Sequence, residues 1–559
     1  MQFDNIINAR EEFLMDIGDK VKKILLDIAA VPGISGTKSE CLTGEKIYEI
    51  IKEMPYFKKN PENVKLIPIE SDIYKRPFVC AIFYSSKKTD KTLLLSGHYD
   101  VVGVEEFGHL KNLAFNPVEY TKRVHELSLD NDAKVDLESG DWLFGRGTAD
   151  MKYGIALGIE LLRHLSEVDD FEGNIMFLAV PGEESNSEGM LGAVPHLVKL
   201  QEEQKLKYIG LLLPEPYMLD SPQDKRRHIH AGACGKIMPL FFIAGKATHI
   251  CNAFSGLNPD LIASEINRLL ELNMDFCDRD GDSSALPPMC LKQTDLKDIY
   301  SVQTPLYAAA YYNILTLNTS PEVLMKKLEK LCETAFNNAV DIVNKNKQKY
   351  DDILGVETPD VSIKPNIMTF SELYSKVKKL YGDEIDKLID DKVNGWLKNK
   401  VEIQTIAINI VKLVYEKYPD NIPSIIIGFA PPYYPDRHAK GKYADMMHDV
   451  IDDVIKYSKE KYDDSFKVEN YFMGICDLSY TGSSGFGIEC ASQNLIGLGK
   501  TYMFPVEDIK KLDIPGMVLG PYGKDIHKYT ERLNMPYAFN VLPDVYMHAI
   551  YKYFSLAQE

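Results

Sequence analysis

Three short apolar runs do most to restrict the architecture open to this chain. Thr92-Leu93-Leu94-Leu95-Ser96, Ile175 to Val180 and Tyr208 to Leu213 show no alternation of apolar and polar residues. A strand with one wet face alternates with a period of two, whereas a run that is apolar throughout belongs to a strand covered on both faces. Between these runs, Met151 to Leu165 carries Ile155, Ile159 and Leu162 at helical spacing. Buried strands separated by helices predict an α/β layer whose central sheet is mixed, largely parallel and flanked by helices.

Residues 1–55 read as helical, with a break at Val31-Pro32-Gly33. The middle of the chain changes character. Cys234 to Gly245 reads as a strand, Pro259 to Leu272 as a helix and Tyr312 to Leu317 as a strand. Ser320-Pro321-Glu322 opens a helix with a good N-cap and a proline at the first helical position. Leu324, Leu328, Leu331 and Ala335 share one face of it, and Ile425 to Ile427 forms a final strand. This is a small α+β unit. From 346 to 420 it carries an insertion rich in Lys and Asp, with helical spacing at Leu373, Val377 and Leu380 and again at Ile385 and Leu388. The α/β pattern resumes near Asp436. The expected organisation is a catalytic domain in two parts, 1–231 and 436–559, interrupted by an α+β domain over 232–435 that contains the helical insertion 346–420. Neither an internal repeat nor a low-complexity segment is visible.

Charge narrows the class of partner. The 559 residues carry 64 basic and 82 acidic side chains, a formal charge of −18. Such a surface repels nucleic acid and anionic membranes, so neither is expected as a partner. No apolar stretch approaches the roughly 18–20 residues of a membrane span. The opening MQFDNIINAREEF has neither the basic nor the apolar region of a secretory signal. Nine cysteines are scattered without a CxxC pair and are expected to be reduced and mostly buried. A cytoplasmic location is the matching expectation.

Strand ends are where an α/β sheet offers polar groups to a cleft. SGHYDVV gives His98 and Asp100, LFGRGTADMKYG gives Asp150, LAVPGEES gives Glu183 and Glu184, LLLPEPY gives Glu215, and MVLGPYGKDIHKYTE gives His527 and Glu531. Taken singly, each has a commoner structural role. His98 would be a satisfied core histidine, Asp100 a turn residue, Asp150 a helix N-cap and Glu215 a loop residue. The His228/His230 pair reads as structural. Together, two histidines and several carboxylates suit a divalent cation such as zinc. Five ligands exceed the needs of one tetrahedral site but fit two metals about 3.5–4 Å apart if one carboxylate bridges. A further carboxylate is then needed as general base, and the adjacent Glu183 and Glu184 offer one base and one ligand.

The GHYDVV, GRGTADMK, PGEES and GPYGKDIHKYTE segments, in this order, resemble the signatures of the ArgE/DapE/aminoacylase/carboxypeptidase-G family of co-catalytic zinc hydrolases. Glu183 follows Asp150 by 33 residues, a separation typical of that family. The length, the central insertion and the stretch IGFAPPYYP (427–435) resemble its RocB branch, associated with arginine utilisation. The resemblance spans nearly the whole chain and is weakest across 346–420. It implies a zinc-exopeptidase-like catalytic domain with an inserted lid. His98, Asp150 and Glu215 would hold one metal and Asp150, Glu184 and His527 the other. Asp100 would accept a hydrogen bond from the second ring nitrogen of His98. Glu183 would move the proton. His249, in GKATHICNAFSGLNPD, falls where the family carries a lid histidine that polarises the scissile carbonyl, in many members across a subunit boundary. A homodimer through the lid is therefore expected, unless the insertion blocks or replaces it.

Two departures stand out. Tyr153-Gly154 occupies positions often held by Gly-Gly, and Tyr153 is expected to narrow the cleft. GICDLSYTGSSG (474–485) falls where peptidase members place an aspartate followed by an arginine-bearing stretch for a substrate carboxylate. Asp477 is present and, with Glu531, is a candidate substrate contact, but no arginine follows. The implied activity is hydrolysis of an amide bond in a small substrate, an N-acyl amino acid or dipeptide-like compound, arginine-related on the RocB resemblance alone. The cofactors would be two divalent cations, zinc first, with cobalt or manganese as alternatives. An exopeptidase on short peptides and a non-catalytic metal-binding scaffold that senses a ligand stay open beside it, although a scaffold has no need of Glu183.

Overall fold

The apolar runs form the middle of an eight-stranded sheet. In the computed structural model, which describes residues 17–169, 171–219, 224–438, 440–482 and 487–558, the strand order is Val64–Pro68, Pro77–Phe83, Asn174–Val180, Lys91–His98, Lys207–Leu213, Gly516–Val518, Arg227–His230 and Phe466–Glu469. The four strands from Asn174–Val180 to Gly516–Val518 run parallel, and antiparallel pairings lie on either side. Strands Pro77–Phe83 and Asn174–Val180 are buried at every position, as their unbroken apolar runs require. Helix Lys152–Glu167 packs on strands Lys91–His98 and Asn174–Val180. It comes close because Gly158 lacks a side chain: a Cβ there would lie 2.7 Å from the Phe177 ring. Each large aliphatic side chain taken into this core contributes about 1.5–3 kcal/mol. The N-terminal helical expectation is met by helices over 17–29 and Ser39–Lys52; residues 1–16 lie outside the described residues.

A three-stranded antiparallel sheet matters more to the site than its size suggests. Trp142–Phe144 pairs with Arg532–Asn534, which pairs with Gly523–Lys524. It ties the loop that ends at Asp150 to the loop around His527.

The chain divides into two units. The first comprises Met1–Ala233, Arg437–Ser484 and Glu507–Glu559 and holds the sheets above. The second comprises Cys234–Asp436 and Gly485–Val506. The second has a five-stranded sheet in the order Met289–Asp295, Tyr307–Thr316, Gly235–Ala244, Ser424–Tyr434 and Ile367–Thr369, with only the last pairing parallel. Helix Pro321–Leu354, capped by the Ser320 side chain, runs well past residue 346 and packs on helix Pro259–Leu270. The insertion supplies three helices, Phe370–Tyr381, Glu384–Lys398 and Ile403–Tyr415. The first opens with a capping box between Thr369 and Glu372. Leu373, Val377, Ile385 and Val393 join Leu240 and Phe242 of the sheet in one core, while Leu380 projects into solvent.

Three sequence expectations are corrected. The stretch Gly485–Val506, assigned above to the catalytic domain, belongs to the second unit. The reason is local: the Ile496 amide donates to the Phe429 carbonyl at 2.9 Å, and its side chain is fully buried in that unit's core. Tyr153 does not narrow a cleft. It is wholly buried, and its hydroxyl donates to the Ala538 carbonyl. All nine cysteines are free thiols, but only Cys80, Cys234, Cys332 and Cys476 are buried, and Cys251 is exposed.

Candidate metal centre

Parallel strands that end together deliver their next residues to one place. His98 closes its strand, and Glu215 follows Lys207–Leu213 by two residues. Glu183 and Glu184 follow Asn174–Val180 after a turn in which Gly182 takes a left-handed conformation (φ 71°), one that favours glycine. A continuing strand would send adjacent glutamates to opposite faces. Here the turn is held by Asp100, whose two carboxylate oxygens accept the Glu183 and Glu184 amides, each at 3.1 Å.

The centre of the arrangement is Asp150. One of its oxygens lies 3.1 Å from His98 Nε2, and the other lies 3.1 Å from His527 Nε2. His527 Nε2 also lies 2.9 Å from Glu184 Oε1. His98 Nε2 is 3.7 Å from Glu215 Oε1 and 4.0 Å from Glu183 Oε2. The opposite nitrogen, His98 Nδ1, is 3.1 Å from the Asp100 carbonyl and 3.5 Å from its carboxylate, so main chain and side chain of Asp100 both face it. His98, Asp150 and Glu184 are compact enough for one cation to span. The donor set fits the expected group: imidazole nitrogens and carboxylate oxygens converge, with Asp150 placed between two clusters.

The electrostatics agree with that fit. Burial raises the carboxyls of Glu183 and Glu215 well above the usual range; His98 opposes this, and the neighbouring carboxylates add to it. Burial and then Asp150 raise Glu184. Burial also works against ionised Asp150, but hydrogen bonds from His527 and His98 outweigh it and hold the group low. His527 is pushed up to about 10 by its hydrogen bonds to Asp150 and Glu184. Crowded carboxylates in a buried site repel one another, and a bound cation relieves that repulsion.

Two buried residues support the loops. Arg146 pairs with Glu531, which accepts the Ala149 and Asp150 amides at 3.3 and 3.4 Å. Arg146 also donates to the His527 carbonyl at 2.9 Å, where His527 adopts a left-handed backbone (φ 68°) uncommon for a residue other than glycine. Glu531 is thus enclosed and does not line the cavity. Asp477 is likewise buried and absent from the cavity wall; burial pushes its carboxyl up to about 7. His249 lies on the second unit, exposed, with Nδ1 accepting the Cys251 amide at 3.2 Å.

Sequence reasoning missed Arg146 and Gly520. Arg146 sits between two glycines in GRG, a pattern with little meaning by itself. Gly520 backs onto the Glu215 loop: a Cβ there would lie 1.6 Å from the Glu215 carbonyl oxygen. The cavity before the cluster has a volume of about 420 Å³. Its wall, among the described residues of this unit, has no lysine or arginine. It extends past Tyr217 and Tyr471 to His228, His230 and Glu469.

Sheet order and site geometry together fit a metallohydrolase. Residues 94–552 match the peptidase family M20/M25/M40, and the chain belongs to that family. It is 34 % identical over 532 residues to the uncharacterized protein YqjN of Bacillus subtilis (strain 168), across 94 % of this chain and 95 % of that one. It is 29 % identical over 535 residues to protein RocB of the same organism, across 95 % and 94 % of the two chains. Aminopeptidase PepT from Bacillus cereus ATCC 10987 shares the fold, with a TM-score of 0.51 at 12 % identity over 96 % of this chain and 98 % of that one.

Proposed function

We propose that this chain hydrolyses an amide bond in a small substrate, using two divalent cations for which zinc is the best-suited ion. The observation that carries the reading is the division of Asp150 between His98 and His527. His98, Asp150 and Glu215 would hold one ion and Asp150, Glu184 and His527 the other. Bound there, the ions would polarise the carbonyl and acidify the attacking water. Glu183 takes the proton of that water at its carboxylate and returns it to the leaving nitrogen. Its place beside the cluster and its raised carboxyl both suit a group that must gain and lose a proton. Asp100 keeps the two glutamates in register and fixes the ring of His98. The sequence resemblance gives His249 the task of polarising the carbonyl, and its exposure is compatible with that task.

A cavity wall without lysine or arginine argues against a free carboxylate held by a basic side chain of this unit. The resemblance to the RocB branch directs the first screen to arginine-related amides. The test is Glu183→Ala. It should keep its metal and lose activity by about 10²–10⁴-fold. Activity near that of the unchanged protein would remove Glu183 as the base.

A further inference from the structure

We infer that His228, His230 and Glu469 bind a third divalent cation on the wall of the same cavity. His228 and His230 are two apart on strand Arg227–His230, so the strand's period of two puts both on one face. Glu469 stands directly opposite His230 in the neighbouring parallel strand Phe466–Glu469. Three potential ligands thus meet on one patch of sheet.

Glu469 Oε2 lies 3.0 Å from His228 Nδ1 and 3.0 Å from His230 Nε2. All three atoms lie within 4.8 Å of one another. The use of Nδ1 from one ring and Nε2 from the next lets rings that start two residues apart reach a common point. Bonds of 2.0–2.2 Å in a tetrahedron put ligand atoms about 3.3–3.5 Å apart, so a small outward shift would admit the ion. The separations of the catalytic cluster, 2.9–3.1 Å between imidazole nitrogen and carboxylate oxygen, are of the same kind.

The rings are also held in place. Tyr217 stacks on His228 at 5.3 Å and 7°. Phe472 meets His230 edge-on at 5.1 Å and 77°. Lys467 holds the second oxygen of Glu469 at 2.8 Å, which leaves Oε2 for the shared point. The outer nitrogens, His228 Nε2 and His230 Nδ1, are buried without a hydrogen-bond partner. Two imidazoles and one carboxylate suit zinc, with cobalt as the spectroscopic substitute.

Three protein ligands leave a position for water or for an anionic group of the substrate. Among the described residues of this unit the cavity wall has no lysine or arginine, so this ion would be a positive anchor distinct from the catalytic pair. That last role rests on the hydrolase reading; the ion itself does not.

The experiment counts zinc. Protein stripped with chelator and reloaded with zinc, then passed through a desalting column, should hold three ions per chain by elemental analysis. His230→Gln and Glu469→Gln should each hold one ion fewer than the unchanged protein, with unchanged circular dichroism. Crystals of the unchanged, zinc-loaded protein should give an anomalous peak between His228, His230 and Glu469, a readout that needs no variant. His98→Ala should lose catalytic zinc and keep that peak, so the failure of one reading is distinguishable from failure of the other. A crystal of the zinc-loaded protein without the peak overturns the inference. So does a count of three that survives both substitutions.

Discussion

Arg146 and Glu531 form an ion pair sealed away from solvent, with the two carboxylate oxygens of Glu531 turned to different tasks. One oxygen meets the guanidinium, and the other accepts the amides of Ala149 and Asp150. Arg146 in turn donates to the carbonyls of Gly103 and His527. Removal of one partner strands the other in a dry interior. Arg146→Met should therefore destabilise the protein by about 3–5 kcal/mol, read by urea unfolding. A loss below about 1 kcal/mol, the value of an ordinary surface pair, would show that the pair is not the brace described here.

Asp100 offers a cleaner separation of positioning from ligation, because it is not among the residues assigned to a cation. An asparagine in its place keeps one acceptor oxygen and loses the other, so Glu183 and Glu184 can no longer both be held. Asp100→Asn should weaken metal binding by about 10–100-fold, measured by competition with a chelator. Unaltered affinity would mean that the Pro181-Gly182 turn holds its shape without help.

Gly520 tests the Glu215 loop from behind. Even one methyl group at this position would overlap the Glu215 carbonyl and force the loop to move. Gly520→Ala should lower zinc occupancy while Glu215 itself is intact, a result visible by elemental analysis of the refolded and reloaded protein. Wild-type occupancy together with a wild-type melting temperature would show that the backbone absorbs the contact elsewhere.

His196 lies midway along helix Glu188–Gln204 and packs beside Phe78. Burial, aided by Lys65 and Lys199, lowers it to about 4. The unfolded chain, with an ordinary histidine near 6.5, takes up the proton first as the pH falls. The contribution of His196 to stability is therefore present above about pH 6.5 and is lost as the pH falls toward 4. Melting temperatures across this window should fall more steeply for the unchanged protein than for His196→Gln. Parallel profiles would contradict the assignment.

Much of the convergence of histidines and carboxylates was legible because it obeys a local rule. His98, Glu183, Glu184 and Glu215 each follow an unbroken apolar run, and a buried parallel strand must release polar groups at its end. What escaped depends on pairings that no local pattern records. Glu469 faces His230 only because two strands far apart in sequence lie side by side, so the pair His228/His230 looked structural. Gly485–Val506 resembled its surroundings in composition, and contacts such as the bonds from Ile496 to Phe429 and from Ser371 to Asn494 reveal its allegiance. Glu531 reads as a cleft residue because its segment, like that of His527, follows an apolar run, yet the turn between them sends it inward to Arg146.

The small sheet of Trp142–Phe144, Gly523–Lys524 and Arg532–Asn534 also sets a timetable for synthesis. His98, Asp150, Glu184 and Glu215 leave the ribosome early, but His527 follows only after the whole of the second unit has been translated. Until Arg532–Asn534 docks on Trp142–Phe144, the nascent chain has four of the five residues of the proposed cation cradle in hand and the fifth not yet in place. Completion of the cluster is thereby deferred to the last stage of chain assembly, when the growing polypeptide is nearly whole.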